Sequence, residues 1–399
     1  VWLGFVFLFV GSAQAQVDES TLAQVQRERG ALIDTMHELV SIESGSRDFD
    51  GLSRIAEVIA GRLRMLGGDV DLVEPADIYR MQDTPAQIGR TVVARFRGTG
   101  TRRILLLAHM DTVYLKGMLA EQPFRLEGNR AYGLGIADDK HGVALILHTL
   151  SVLKAIGFDD YGLITVLINA DEEVSSAGSR SLITALGREH DAVFSCESGG
   201  DNLVRLRTSG IGAFKLIVRG RAAHAGAAPE QGRNALYELA HQIMQTRDLS
   251  DPDAGLKMNW TVATGGNTRN VIPAEAEATA DVRVLLVEDY DRIESEVRRL
   301  MRNQLIPDTE IDLVFERRRP PLVVNMASRR LAAHAQEVYR ELGMELIVDD
   351  EVSGGGTDAA FAALETDAPV IEGMGLQTFG AHSNEAEYVN LESVEPRLY

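Results

Sequence analysis

Apolar runs and amphipathic stretches alternate along most of the chain. Two segments with helical spacing come first, and unbroken apolar runs such as ILLL and LITVLI follow, as is typical of strands covered by helices on both faces. This alternation predicts an α/β fold with a mostly parallel sheet. The predicted elements are helices Glu19–Ile42 and Leu52–Leu66, strands Thr91–Phe96 and Ile104–Leu107, helix Lys140–Ile156, strand Leu163–Asn169, helix Ser179–Leu186 and strand Ala192–Ser195.

The pattern changes near residue 209. A strand, a helix, two strands, a helix and a strand follow one another, which is the order of a ferredoxin-like unit. These elements are Ala213–Val218, Asn234–Thr246, Asn259–Ala263, Glu275–Leu286, Tyr290–Gln304 and Ile311–Phe315; after them come helix Ser328–Leu342, strand Leu346–Val348, helix Thr357–Leu364 and strand Pro369–Ile371. We therefore predict an α/β domain formed by residues 16–208 and 322–399, with residues 209–321 inserted as a ferredoxin-like domain.

The first fifteen residues have a pattern of their own. Residues 1–10 are apolar and uncharged, and Ala13-Gln14-Ala15 follows them. This is the pattern of the apolar core and cleavage site of a signal peptide, and the run is too short for a comfortable transmembrane helix. We expect residues 1–15 to be a signal peptide with a truncated start, and the mature chain to be periplasmic or secreted without a membrane anchor.

Composition and charge narrow the classes of partner and of metal site. The chain has 399 residues with 40 Lys and Arg against 59 Asp and Glu, a formal net charge of −19. So acidic a chain argues against nucleic acid as a partner. The single cysteine, Cys196, excludes an intramolecular disulfide and a cysteine-based zinc site. A metal ion would therefore be held by His, Asp and Glu.

Polar clusters follow several of the predicted strands. They contain His109 and Asp111, Asp138 and Asp139, Glu172 and Glu173, Glu197, and His382. Ligands of open α/β sheets bind beyond the carboxyl ends of the strands, so we expect these clusters to converge. Each cluster alone is explained as well by a helix cap, a solvated turn or a surface pair. Together, two histidines and three carboxylates suit two zinc, manganese or cobalt ions that share one carboxylate, with Glu172 as a general base.

Longer motifs carry a resemblance to a known family. The motifs are His109–Gly117, Gly135–Lys140, Asp171–Glu173, Ala223–Gly226, Asn270–Pro273, Gly354–Asp358 and His382-Ser383. Their sequences and order are similar to those of the zinc aminoacylase and carboxypeptidase family of co-catalytic metallopeptidases, and within it to the folate-hydrolysing bacterial glutamate carboxypeptidases. The similarity extends over nearly all of the expected mature chain.

The resemblance implies roles for individual residues. Asp138 would bridge two zinc ions, with His109 and Glu197 at one ion and Glu173 and His382 at the other. Asp111 would orient His109, and Glu172 would be the general base. The inserted domain would form a homodimer and supply His224 to the oxyanion. The substrate, a small peptide or N-acyl amino acid, would be held by Asn270, Arg283, Arg319, Gly356 and Thr357.

Three positions limit these implications. Leu203 stands about where a lysine is expected, so we predict weaker selectivity for acidic leaving amino acids. His141, beside the expected metals, is interpreted as a surface residue at a helix start, and Cys196 as a buried strand cysteine. The leading hypothesis is an exported exopeptidase or amidase that releases a C-terminal amino acid. The alternatives are an N-acyl-amino-acid deacylase or dipeptidase with the same site, and a non-catalytic, metal-dependent carboxylate-binding protein.

Overall fold

The structure is a computed structural model that describes residues 17–383 and 386–399. The predicted signal peptide lies outside the described residues. Within them, no helix combines the length and the apolar character that crossing a membrane requires. Two helices precede the central sheet. The first is capped at its start by Asp18, whose carboxylate accepts hydrogen bonds from the amides of Ser20 and Thr21. The second is followed by Gly67, which has a left-handed φ of 102°.

The helices and strands follow in chain order. The first part contains α1 (Glu19–Val40), α2 (Phe49–Leu66), β1 (Asp69–Val73), β2 (Thr91–Arg97), β3 (Arg103–His109), β4 (Arg125–Glu127), β5 (Arg130–Tyr132), α3 (His141–Ala155), β6 (Leu163–Asn169), α4 (Arg180–Glu189), β7 (Ala192–Ser195) and β8 (Leu203–Arg205). The middle part contains β9 (Gly210–Arg219), β10 (Ala223–His224), α5 (Ala235–Gln245), β11 (Lys257–Gly265), β12 (Val271–Ile272), β13 (Glu275–Val284), α6 (Glu288–Leu300) and β14 (Glu310–Arg319). The last part contains α7 (Met326–Glu341), β15 (Ile347–Asp349), α8 (Ala359–Ala362), β16 (Val370–Ile371), β17 (Thr378–Phe379), β18 (Tyr388–Asn390) and α9 (Val394–Leu398).

A six-stranded sheet in the order β1-β2-β6-β3-β7-β16 forms the centre of the larger unit. Strands β6, β3, β7 and β16 run parallel to one another. At one edge of the sheet, β2 pairs with β6 in antiparallel orientation, and β1 pairs with β2 in the same way. Every residue of β6 is buried, because helices α1, α2 and α3 cover one face of the sheet and α4 and α8 the other. The predicted α/β fold with a mostly parallel sheet is confirmed.

The middle part forms an antiparallel sheet in the order β11-β13-β9-β14, with a core shared with helices α5 and α6. Its order of elements is ferredoxin-like, with β10 and β12 added as a short two-stranded ribbon. A bulge interrupts the pairing of β14 with β9 between Arg317 and Arg319. The bulge gives the strand one extra residue at the point where the chain returns to the larger unit.

The sequence pattern missed a second sheet in the larger unit, with the order β17-β18-β5-β4. Its strands have two or three residues each, too few to show an alternation of apolar and polar positions. The helix predicted over residues 357–364 is also shorter in the structure, where α8 has only four residues. These differences matter because β17 leads directly to His382.

Candidate active site

The ends of three parallel strands place polar residues at one edge of the central sheet. His109 is the last residue of β3, Glu172 and Glu173 follow β6, and Glu197 follows β7. Asp138 lies in the loop that precedes α3, and His382 lies in the turn after β17. Carboxylate and imidazole groups come together in two sets of three, with His109, Asp139 and Glu197 in one and Asp138, Glu173 and His382 in the other.

Asp138 lies between the two histidines and faces each of them with a different oxygen. Its Oδ1 is 2.8 Å from Nε2 of His109, and its Oδ2 is 3.0 Å from Nε2 of His382. Nε2 of His109 is also 3.4 Å from a carboxylate oxygen of Glu197, and Nε2 of His382 is 3.3 Å from one of Glu173. A carboxylate with one oxygen toward each of two ligand groups has the arrangement needed to bridge two cations.

Two further observations indicate that these donors suit divalent metal ions. Oε1 of Glu173 is buried and has no hydrogen-bond partner among the described residues. A buried carboxylate oxygen without a donor costs free energy, which a cation would offset. The mixture of imidazole and carboxylate donors is typical of zinc, manganese or cobalt sites.

Asp111 is fully buried beneath this cluster and organises it. Its Oδ1 is 3.3 Å from Nδ1 of His109. The same carboxylate accepts hydrogen bonds from the amides of Glu172 at 3.0 Å and Glu173 at 3.1 Å. Asp111 therefore fixes the orientation of one imidazole together with the backbone that carries both glutamates.

Glu172 is buried and lies beside a buried arginine. Its Oε1 is 2.7 Å from Nη2 of Arg319, and the same guanidinium also donates to the backbone carbonyl of Glu172. Nη1 of Arg319 is 3.0 Å from Oδ1 of Asp358. Oδ2 of Asp358 in turn accepts a hydrogen bond from Asn169 at 2.7 Å. Arg319 thus contacts both the side chain and the backbone carbonyl of Glu172.

Burial and neighbouring charges shift the pKa values of the cluster. Burial raises the pKa of Glu172 well above its ordinary value, and Arg319 opposes part of that rise. Hydrogen bonds to Asp138 and Glu173 raise the pKa of His382 to about 10. Burial alone would raise the pKa of Asp138, but the hydrogen bonds to His109 and His382 lower it. A cation bound at these donors would compete with protons for the same imidazole nitrogens.

A cavity of about 570 Å³ opens onto the cluster, a volume typical of sites for small ligands. Asp138, Glu172 and His382 line one part of it. The predicted substrate-binding residues Arg319, Gly356 and Thr357 line it too. The absence of a side chain at Gly356 is required here, because a Cβ atom would lie 2.5 Å from Cδ of Arg319.

The other predicted substrate residues lie elsewhere. His224 and Asn270 are exposed and are close together on the β10–β12 ribbon, where the amide of Ala225 donates to the carbonyl of Asn270. Arg283 is paired with Asp281 and donates to the carbonyl of Gly354. None of the three lines the cavity in this chain's own structure.

Arg205 and Glu372 are among the cavity residues that the sequence analysis did not identify. Arg205, at the end of β8, lines the cavity and its buried Nε has no hydrogen-bond partner among the described residues. Glu372 lines it as well, accepts a hydrogen bond from Thr357 at 2.6 Å, and has its pKa raised to about 8 by burial. Neither residue belongs to a motif, and both reach the cavity only through the pairing of distant segments.

The structure corrects one prediction and confirms another. His141 is at the start of α3 but is fully buried, so its interpretation as a surface residue is wrong. Its Nδ1 is 3.0 Å from the carbonyl oxygen of Ile136 and 3.4 Å from Oδ1 of Asp139, because the preceding loop folds back over the helix start. Cys196 is buried directly after β7, as expected.

The sequence profile of peptidase family M20/M25/M40 matches residues 105–399. The chain belongs to this family. It is therefore a hydrolase of peptide or amide bonds from a family of metallopeptidases that use two metal ions. Family membership removes the alternative of a non-catalytic carboxylate-binding protein.

Individual relatives agree with the family assignment. The chain is 42% identical over 392 residues to carboxypeptidase G2 of Pseudomonas sp. (strain RS-16), which covers 98% of this chain and 92% of that protein. It is 27% identical over 355 residues to succinyl-diaminopimelate desuccinylase of Stenotrophomonas maltophilia (strain R551-3), which covers 84% of this chain and 88% of that protein. The resemblance to the glutamate carboxypeptidases of this family is confirmed.

Solved structures show the same fold at low sequence identity. A tripeptidase from Staphylococcus aureus superimposes with a TM-score of 0.74 at 20% identity, covering 93% of this chain and 95% of that one. An M20 family metallo-carboxypeptidase from Sulfolobus solfataricus superimposes with a TM-score of 0.72 at 14% identity, covering 96% and 97%.

Proposed function

We propose that this protein is an exported di-zinc exopeptidase or amidase that releases a C-terminal amino acid from an N-acyl or peptide substrate. One observation carries the proposal. Glu172 is a buried carboxylate that lines the same cavity as the ligand cluster but belongs to neither metal-binding group. A carboxylate that is free of metal can accept and return a proton during hydrolysis.

The residues proposed to hold zinc are His109 and Glu197 at one ion and Glu173 and His382 at the other, with Asp138 between the two. Manganese or cobalt would suit the same donors. When bound, the ions would supply Lewis acidity to the scissile carbonyl and to the attacking water.

Glu172 performs the proton transfers in this proposal. As the water oxygen bonds to the carbonyl carbon, Glu172 takes the proton of the water. It then returns that proton to the leaving nitrogen as the carbon–nitrogen bond breaks, which gives a carboxylic acid and a free amine. Nη2 of Arg319 lies 2.7 Å from Oε1 of Glu172 and orients that carboxylate, while Asp111 accepts a hydrogen bond from the amide of Glu172.

Arginines in the cavity support an anionic leaving amino acid. Arg319 lines the cavity, and a guanidinium fork is the group that binds carboxylates best, but in this structure its two terminal nitrogens contact Glu172 and Asp358. Leu203 lies two residues before Arg205 on the same face of β8. Arg205 lines the cavity, and its Nε is 3.8 Å from Oδ2 of Asp349. The predicted weaker selectivity for acidic side chains, which is based on Leu203, stays a prediction, but Arg205 argues against it.

A homodimer would bring His224 and Asn270 to the site of the partner subunit. Strand β11 is an edge of its sheet, and Val262 on it is 58% exposed, as is Met244 on α5. Nδ1 of His224 accepts hydrogen bonds from the amides of Gly226 and Ala227, so a neutral imidazole carries its proton on Nε2. An exposed Nε2–H donor is suited to stabilise an oxyanion.

Domain limits and export complete the proposal. We place the catalytic domain at residues 16–208 and 322–399 and the inserted dimerisation domain at residues 209–321. The apolar residues 1–10 and the following Ala13-Gln14-Ala15 support a signal peptide and a periplasmic or secreted enzyme. An N-acyl-amino-acid deacylase is the second candidate, because the desuccinylase is similar over 84% of this chain.

The test is a release assay with zinc-loaded protein and a panel of N-acyl amino acids, dipeptides and their C-terminal amides. We expect chelation to abolish release and zinc, cobalt or manganese to restore it. Glu172→Gln should keep two metal ions but lose about 10²–10⁴-fold in turnover. Glu57→Gln, an exposed glutamate paired with Arg90, is the matched control and should leave turnover unchanged. Near-native turnover by Glu172→Gln, or full activity without metal, would overturn the proposal.

A further inference from the structure

Glu387 is a buried carboxylate outside the proposed ligand set. Its Oε1 accepts a hydrogen bond from the amide of Ala137 at 2.7 Å. Its Oε2 accepts one from the amide of Gly135 at 3.2 Å and one from the hydroxyl of Tyr114. A single side chain thus joins three segments that are far apart in the sequence.

Each of the three segments carries a proposed metal ligand. Tyr114 lies in the loop that follows His109 at the end of β3. Gly135 and Ala137 lie in the loop that carries Asp138. Glu387 itself lies just before β18, and its own amide donates to the carbonyl of Ser383, the residue after His382.

The loop that carries Asp138 depends on such an external contact. It runs between β5 and α3 and forms no strand pairing of its own. Gly135 has a positive φ of 72°, and a Cβ atom there would lie 2.3 Å from Cγ2 of Thr112, so the loop is packed closely against its neighbour. Buried amides need acceptors, and those of Gly135 and Ala137 both end on Glu387.

We propose that Glu387 is a positioning residue that fixes His109, Asp138 and His382 relative to one another for metal binding. The inference rests on the proposed function, because it concerns the same two-ion site. A bridging carboxylate can reach two cations only if its loop is held at the right distance from both histidines. Groups that orient ligands in this way typically change metal affinity about 10–100-fold when they are replaced.

A general contribution to stability is the competing explanation, and the chain offers a matched control for it. Glu238 in α5 is fully buried and also accepts hydrogen bonds from two backbone amides, those of Leu305 and Ile306, and from the side chain of Gln242. It lies in the smaller unit and contacts no proposed ligand. Glu387→Gln and Glu238→Gln therefore each remove a buried carboxylate that accepts amide hydrogen bonds, the first next to the proposed metal site and the second away from it in the smaller unit.

The experiment measures zinc affinity by competition with a chromogenic chelator, on the full chain stripped of metal. We expect Glu387→Gln to bind zinc about 10–100-fold more weakly than wild type. Tyr114→Phe, which removes one of three donors and keeps the carboxylate, should show a smaller loss in the same direction. Glu238→Gln should keep wild-type affinity, although both glutamine variants should lower the Tm of the metal-free protein.

The outcomes separate this inference from the proposed function. Wild-type zinc affinity in both Glu387→Gln and Tyr114→Phe would overturn the positioning role. If Glu387→Gln does not fold, Tyr114→Phe decides alone, and unchanged affinity in it overturns the role. Wild-type protein that binds two zinc ions but releases no amino acid would instead refute the proposed function, while the affinity comparison would still decide the role of Glu387.

Discussion

Arg319 forms ion pairs with Glu172 and Asp358 at a position that is only 5% exposed. Removing one partner of a buried ion pair leaves an uncompensated charge. We therefore expect Arg319→Ala to lower the free energy of unfolding by about 3–5 kcal/mol. Denaturant titration of the metal-free protein measures this loss.

Arg317→Ala is the control for this prediction. Arg317 belongs to the same strand, but its pairs with Asp291 and Glu294 are partly exposed, so its loss should cost less than about 1 kcal/mol. Equal losses for the two variants would contradict the special role of Arg319. Activity adds a second readout, since a loss larger for free acids than for C-terminal amides would show that Arg319 also binds the substrate carboxylate.

The raised pKa of Glu372 leads to a prediction of how the stability of the metal-free protein depends on pH. Burial raises its pKa from 4.5 to about 8 in the folded state. Between these two pH values the folded chain holds a proton that the unfolded chain releases, so this residue makes stability fall as pH rises. Glu372→Gln should flatten that fall between about pH 5 and pH 8. Thermal unfolding across this range checks the prediction, and an unchanged slope would contradict it.

At the scale of single residues, sequence reasoning found the groups that lie in motifs. His109, Glu173 and Glu197 follow strands of the central sheet, so their convergence was predictable from that sheet. Arg205, Glu372 and Glu387 were not, because each reaches the site through contacts between segments that are distant along the chain. No local pattern records such contacts.

At the scale of a single element, a substitution in strand β11 can test the proposed dimer. Edge strands with exposed apolar residues favour pairing with a second copy, and Val262 provides such a residue. We expect Val262→Lys to convert a dimer into monomers, as measured by analytical ultracentrifugation. Val314→Lys is the matched control, because Val314 is 45% exposed on β14, the opposite edge of the same sheet. If only Val314→Lys produced monomers, the dimer interface would lie at β14, and the proposed interface at β11 would be refuted.

The sequence predicted the elements that are long enough to show a clear apolar pattern. β6 has seven buried residues in succession and was predicted to its exact ends, since a fully buried strand leaves an unbroken apolar run. The sheet of β17, β18, β5 and β4 was missed, since a strand of two or three residues is stabilised by its neighbours and not by its own pattern. Short elements next to His382 therefore appear only in the folded molecule.

At the scale of the whole molecule, the position of His224 predicts complementation between subunits. Since it does not line the cavity of its own chain, it would act in the partner subunit. We expect His224→Ala to lower kcat by about 10²–10³-fold with metal content unchanged. Mixing it with Glu172→Gln under subunit exchange should restore activity, because one of the two sites then has both residues.

Each variant incubated alone under the same exchange conditions is the control and should stay inactive. Heterodimers that are proven by differential tagging and yet show no recovered activity would refute delivery from the partner. The remaining mechanism would then require the inserted unit to close over the cavity of its own chain.

The extra residue in β14 has an evolutionary consequence. Because the bulge lies between Arg317 and Arg319, three consecutive arginines reach three different groups of carboxylates. Moving one of them by a single position would preserve composition and net charge but would take the guanidinium away from Glu172. We therefore expect descendants of this sequence to accept exchanges at Arg317 more readily than any insertion or deletion between Phe315 and Pro320. The inherited constraint on this strand is its length more than its basic character.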